Sequence, residues 1–194
     1  MTKRILAAYA TREGQTMRIV GRLAAHLAAA GHTVEAINLG KYPAGGDPTS
    51  FDAVIVAGSV HAGEHEEEVC RYVTDHRDAL SQRPTAFLSV SLSAAAGAES
   101  GRQRATEQIE AFLAETSWAP DMVEAIAGAF RTSAFSRPWR WMLKLVNRMA
   151  RKDLLREGWP ELTGDREYTD WAALERFGDA FLDHIDQGRL ARSA

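Results

Sequence analysis

The sequence predicts an α/β domain built on a five-stranded parallel sheet, with helices on both faces and a helical insertion at the fifth strand. Three observations predict it. Short β-rich runs alternate with helical patterns, which implies parallel strands joined by crossover helices. The chain of 194 residues suits one such domain and can bury a two-sided core. About 38 residues separate the fifth strand from the last helix, more than an unstructured loop of a compact domain normally spans, so they form an insertion at about residues 131–167.

In order, residues 4–9, 33–38, 53–58 and 85–90 read as the first four strands. Between the first two, Ile19, Val20, Leu23, Ala24 and Leu27 mark one helical face, and Gly31 stands where a left-handed C-terminal cap belongs. Helices are expected over residues 66–80 and 101–115, the latter with Ile109, Phe112 and Leu113 on one side. Residues 123–130 read as the fifth strand. A terminal helix starts near Thr169, with Trp171, Leu174, Phe177, Phe181 and Ile185 at helical spacing. Right-handed crossovers then place helices on both faces of the sheet.

Composition narrows the function. Hydrophobic residues make up 45% and charged residues 25%, which is ordinary for a folded soluble domain. Cys70 is the only cysteine, so an internal disulfide and cysteine-based zinc or iron–sulfur sites are excluded; an inert thiol in a reducing cytoplasm is expected. Lys3 and Arg4 precede only a short apolar run, unlike a secretory leader, and no stretch reaches the roughly 20 apolar residues of a spanning helix.

The first strand runs into Ala10-Thr11-Arg12-Glu13-Gly14-Gln15-Thr16 and then a helix. Open parallel sheets bind ligands beyond the carboxyl ends of their strands. Here hydroxyls flank a glycine able to adopt positive φ, and the new helix presents unpaired N–H groups, so the loop suits a phosphate. The alternative is a plain turn with Thr16 as N-cap. One glycine cannot make the dinucleotide fingerprint, and no Gly-Lys-Ser/Thr forms a Walker loop. Two further small-residue loops leave the same edge. Gly58-Ser59-Val60-His61-Ala62-Gly63 follows the third strand, and Ser91-Leu92-Ser93-Ala94-Ala95-Ala96-Gly97 the fourth. Small side chains let backbone groups approach a flat ring.

Other constellations say less. His61 and His65 with Glu64 and Glu66 lack an identifiable third metal ligand, so no metal site is assigned. Glu66, Glu67 and Glu68 read as acids favouring a helix start. Trp118 and Trp171 read as core or interface aromatics. Gly58-Ser59 does not complete a G-x-S-x-G elbow, and no side chain is assigned as a catalytic general base.

Within the insertion, residues 137–152 carry Arg137, Arg140, Lys144, Arg148, Arg151 and Lys152 with no acidic residue. Set against a chain net charge of −3, these six cations leave −9 elsewhere. The cations recur at steps of three and four beside Trp141, Met142, Leu145, Val146 and Met149, which makes a basic amphipathic helix. Such a helix either lies on an anionic membrane surface or packs on its own domain with a solvated basic face. Trp139 and Trp141 favour the interface. Nucleic acid is not expected, because no reading module accompanies the charge. No oligomeric state is assigned.

The loops carry a resemblance. Tyr9 through Thr16 resembles the phosphate loop of flavodoxins, and Gly58 through Gly63 their second loop. With Ala86-Phe87-Leu88-Ser89-Val90-Ser91-Leu92, Trp118-Ala119-Pro120-Asp121, Ile126-Ala127-Gly128-Ala129 and Tyr168-Thr169-Asp170-Trp171, nearly the whole chain is similar to the flavodoxin-like, menaquinone-linked protoporphyrinogen IX dehydrogenases of bacteria. The resemblance implies flavin mononucleotide (FMN), with its phosphate held by Thr11, Arg12, Glu13, Gly14, Gln15 and Thr16. It implies a flavin ring held by Ser59, Val60, His61, Ala62, Gly63, Ser91, Leu92, Ser93, Ala94 and Gly97. It further implies a porphyrinogen substrate, its carboxylates gripped by Arg131, Arg137, Arg140 and Lys144, a quinone acceptor, and a cytoplasmic protein touching the membrane face. A quinone reductase, an electron carrier of flavodoxin type and a flavin-free binding domain are the alternatives. Glu13 stands where many flavodoxins carry a third hydroxyl, and neither ring loop holds a Trp or Tyr, which predicts a weaker hold on FMN.

Overall fold

The computed structural model describes residues 1–96, 99–130 and 165–193. Its elements run β1 (Arg4–Ala10), α1 (Gln15–Ala29), β2 (Thr33–Asn38), β3 (Ala53–His61), β4 (Glu64–His65), α2 (Glu67–Leu80), β5 (Thr85–Ser91), α3 (Glu99–Thr116), β6 (Met122–Ala127), β7 (Ala129–Phe130), β8 (Arg166–Glu167) and α4 (Trp171–Ser193). The main sheet has the order β2-β1-β3-β5-β6 with every neighbour parallel, and β4 folds back antiparallel on β3. The five-stranded parallel sheet expected from the sequence is present.

Alternation along the strands explains its two covered faces. Ile5, Ala7 and Tyr9 of β1 join Ile55, Leu88 and Ile126 beneath α1 and α4, where Leu23, Leu27, Leu174 and Phe181 are buried. The intervening Leu6, Ala8, Val54, Val56 and Phe87 face the other way, onto Val69, Tyr72 and Val73 of α2 and Phe112 of α3. Strands apolar on both faces belong to a sheet wrapped on both sides. Phe87 and Phe112 stack with centroids 4.4 Å apart, and Trp118 meets Phe87 edge-on at 5.8 Å, so this tryptophan is a core aromatic. Gly178 lets α4 approach α1: a Cβ there would sit 2.9 Å from Leu23 Cδ1.

The fifth strand is a correction. It ends at Ala127, and Ala129–Phe130 pairs antiparallel with Arg166–Glu167 in a separate two-stranded ribbon. Gly128 N–H donates to Ser91 O, and Tyr168 N–H donates to Gly128 O. The chain therefore leaves the sheet at Gly128 and returns beside its point of departure, so Arg166 and Glu167 belong to the neck of the insertion. The basic run at 137–152 lies outside the described residues. No helix among the described residues is long and apolar enough to cross a membrane.

His65 contributes a polar group to this core. Its ring packs on Phe87 and Phe112 at 5.2 and 4.8 Å, and its Nε2 lies 2.9 Å from Ser89 Oγ. Burial holds its pKa down at about 4, so the folded protein keeps it neutral where an unfolded chain, near 6.5, takes a proton. Stability is therefore full above about 6.5 and falls towards 4, at up to about 1.4 kcal/mol per pH unit. Urea midpoints measured from pH 7 to pH 4 should fall more steeply for the wild type than for His65→Gln; parallel profiles would contradict the assignment.

Candidate functional site

The carboxyl ends of β1, β3, β5 and β6 open on one cleft of about 650 Å³. Thr11, Arg12, Glu13, Gln15, Thr16, Ser59, Val60, His61, Ala62, Gly63, Ser91, Leu92 and Ser93 all line it. The three loops read from the sequence thus converge. Gly14 and Ala94 shape the loops without lining the cleft. Gly97, Arg131, Arg137, Arg140 and Lys144 lie outside the described residues.

The first loop is built around Gly14, whose φ of +82° turns the chain into α1. Its N–H donates to Thr11 Oγ1 at 3.0 Å, folding the loop over its own hydroxyl. Thr16 is not the N-cap. It sits inside the first turn with none of its surface exposed, and its Oγ1 has no hydrogen-bond partner. A buried hydroxyl normally finds a partner. An orphan beside the unpaired N–H groups of a helix start fits a phosphate oxygen arriving from the cleft. On that observation the residues present fit FMN.

The second loop is a tight hairpin. Ala62 and Gly63 have φ of +54° and +96°, between the paired residues His61 and Glu64, the two positive angles that a two-residue hairpin of the primed type requires. Val60 pairs with His65, which turns the His65 ring into the core while His61 stays exposed. The two histidines therefore do not share a site, and no group of three His, Cys, Asp or Glu suited to a metal occurs among the described residues. The third loop closes on Ser91, whose Oγ accepts from Ala94 N–H at 3.1 Å. Gly101 of α3 lies against it so closely that a Cβ would fall 2.0 Å from Ala96 Cβ.

Glu66 corrects the sequence reading. Glu67 and Glu68 occupy the first turn of α2, but Glu66 is 4% exposed and turned into the cleft wall. One carboxylate oxygen accepts from Arg12 Nε at 2.9 Å and the other from Ser59 Oγ at 2.8 Å. This carboxylate ties the first loop to the second. Arg12 is thus committed to Glu66, and that contact raises its pKa further.

Gln15 forms a second tie. It is 5% exposed, and its Nε2 donates to Glu167 Oε1 at 3.1 Å and Thr169 Oγ1 at 3.0 Å. Arg18 donates to Glu167 Oε2 at 3.0 Å, and Thr169 Oγ1 donates to Ala127 O at 2.7 Å. The first loop, the end of β6 and the neck of the insertion meet there. Sequence reasoning also missed the α3 wall of the cleft, formed by Arg104, Glu107, Gln108 and Ala111. Their spacing of three and four marks one helical face, lying beside the Ile109, Phe112 and Leu113 face that reads as core. Cys70 is partly buried and its thiol pushed up to about 11, as an inert thiol should be.

The family model for the flavodoxin domain matches residues 6–154. The chain belongs to the flavodoxin family. It is 28% identical over 187 residues to the protoporphyrinogen IX dehydrogenase (quinone) of Escherichia coli, covering 95% of this chain and 98% of that protein. A Leishmania major protein of the same name is 29% identical over 133 residues, 68% of this chain and 54% of that one. Among solved structures, oxidised flavodoxin 1 from Bacillus cereus superposes with a TM-score of 0.52 at 12% identity, covering 93% of this chain and 98% of that one, a likeness of fold.

Arg12 and Glu66 are unequally buried, at 61% and 4% exposure, which sets a prediction. Arg12→Ala strands a buried carboxylate and should destabilise by about 1–3 kcal/mol. Adding Glu66→Gln should recover part of that loss, since a neutral amide can still meet Ser59. Urea denaturation of the single and double variants measures both; additive losses would refute the coupling.

Proposed function

We propose that the chain is an FMN-dependent oxidoreductase that dehydrogenates protoporphyrinogen IX and passes the electrons to a quinone. The observation that carries the cofactor is the orphaned, fully buried Thr16 hydroxyl at the start of α1. Support for the substrate comes from the dehydrogenase relative, 28% identical over 95% of this chain, an extent that takes in the insertion.

Bound FMN supplies reversible two-electron acceptance, and the protein supplies binding, orientation and electrostatics. Thr11, Thr16 and the N–H groups of the first turn of α1 would hold the phosphate. Glu66 keeps Arg12 and Ser59 in place at the cleft wall and balances a cation there. The hairpin from Ser59 to Gly63 and the loop from Ser91 to Ser93 present small side chains and backbone groups to the ring. Each two-electron round would take a hydride and a proton from the porphyrinogen, and the electrons would pass on to the quinone. The porphyrinogen's propionate carboxylates are met by Arg131, Arg137, Arg140 and Lys144 of the insertion, where Arg offers bidentate geometry. Peripheral contact of the 137–152 run with an anionic membrane would bring the site to its quinone.

Two outcomes test this. Thr16→Val should weaken FMN binding by about 1.5–3 kcal/mol, the worth of a hydrogen bond to a charged group, in a fluorescence titration of apoprotein. Wild-type affinity in that variant would remove Thr16 from the site. Replacing residues 133–164 with a short Gly/Ser linker should leave FMN bound, because none of the three loops is touched and the β7–β8 neck remains. Anaerobic porphyrinogen oxidation with a menaquinone analogue should then collapse, while reduction of a small soluble quinone survives. Retained porphyrinogen oxidation would show that the insertion does not select the substrate.

A further inference from the structure

Four buried side-chain polar atoms among the described residues lack a partner: Thr16 Oγ1, Gln108 Oε1, Arg83 Nη1 and Trp118 Nε1. Only Thr16 and Gln108 line the cleft. Thr16 is at the phosphate end. Gln108 belongs to α3 and lies on the wall beside the third loop, where its Nε2 reaches Ser93 Oγ at 3.5 Å. Ser93 is itself 5% exposed. One end of the amide therefore rests on a buried hydroxyl, and the other is a carbonyl oxygen shut off from solvent with nothing to accept from. Leaving a buried acceptor empty is unfavourable, so one on the cleft wall marks a place where a ligand donor belongs.

The geometry points to Gln108 as the residue that recognises the ring end of the cofactor, its Oε1 accepting a hydrogen bond from the ring imide N–H. This rests on the FMN reading above and adds to it a side chain outside the three loops. The chemistry selects the partner. Around the polar rim of an oxidised isoalloxazine the imide nitrogen is the one N–H donor, and the remaining rim atoms are acceptors, which would not satisfy a carbonyl. The two orphans are also of complementary use: a hydroxyl on α1 suits a phosphate oxygen, and a carbonyl on α3 suits an imide N–H. Together they set the direction in which the cofactor lies. They also give a reason for an uncharged amide here, on a helix whose neighbouring cleft residues Arg104 and Glu107 are charged.

The experiment uses full-length apoprotein and two probes, FMN and 3-methyl-FMN, in which a methyl group replaces the imide hydrogen. Wild type should bind FMN at least about tenfold more tightly than 3-methyl-FMN, the worth of one buried hydrogen bond. Gln108→Ala should lose about tenfold on FMN and bind the two flavins within about threefold of each other. Gln108→Met, which keeps the side-chain volume, should also lose affinity for FMN and serves if Gln108→Ala does not fold. Thr16→Val should weaken both flavins alike and keep the preference. A glutamine variant that retains the wild-type preference for FMN, or its wild-type affinity, overturns the assignment alone. Wild-type protein that binds neither flavin overturns the FMN reading and this inference with it.

Discussion

Everything at the cleft depends on the parallel pairing of a sheet that is covered on both faces. Because β1, β3, β5 and β6 run in one direction, their carboxyl ends share one edge, and the register sets Ala10 beside Gly58, Ser59 beside Val90, and Ser91 beside Ala127. Adjacent strands stand about 4.8 Å apart, so the three loops begin within two strand spacings of one another. No loop–loop contact is needed to bring them together. The apolar alternation that buries Ile5 on one side and Leu6 on the other enforces that register, since a slip by one residue would exchange the two faces.

On that frame the polar groups divide into those the protein satisfies itself and those it leaves open. Glu66 takes one donor from each of two loops, and Gln15 gives both protons of its amide to the neck of the insertion. These contacts join segments 54 and 152 residues apart in sequence, and they rigidify the walls before any ligand arrives. The open groups, Thr16 Oγ1 and Gln108 Oε1, both belong to residues that line the cleft. A site whose walls are self-satisfied has met much of its ordering entropy during folding, so less of it remains to be paid when a ligand binds.

The fold was legible because its signals are local. Strand alternation, the positive-φ cap at Gly31 and the phosphate-loop pattern around Gly14 each occupy a few consecutive residues. Glu66 was misread for the opposite reason: three adjacent glutamates look equivalent to a dipole argument, and only the hairpin that returns β4 onto β3 turns the first one inwards. The break at Gly128 has the same character. Residues 123–130 are continuously compatible with a strand, and the departure is decided by Glu167 and Arg166, some 40 residues on, which compete for Ala129 and Phe130. The α3 wall was hidden because its face is polar and small, while periodicity marks the apolar face that packs on the sheet.

Glu167 shows why cofactor site and insertion should be read as one unit. Its two oxygens accept from Gln15 and Arg18, on the first turn of the helix that follows the first cleft loop, while its backbone pairs with Ala129 at the exit from the sheet. Arg18 also lies with its guanidinium 5.9 Å from the Trp171 ring at the start of α4. The same turn of helix therefore carries the orphaned Thr16 hydroxyl, the anchor of the neck and the docking point of the last helix. Exposed polar contacts further along α1 and α4, the ion pair of Arg22 with Glu175 and the hydrogen bond of His26 with Asp179, add little energy. Contacts at the buried end of the pair weigh more, because Gln15 is sealed from solvent and an amide buried without its acceptors carries the full penalty of desolvation. An insertion grafted onto a flavodoxin sheet at any other strand end would lack that foothold. Placed here, its neck returns to the chain against the first turn of α1, the helix into which the first cleft loop runs.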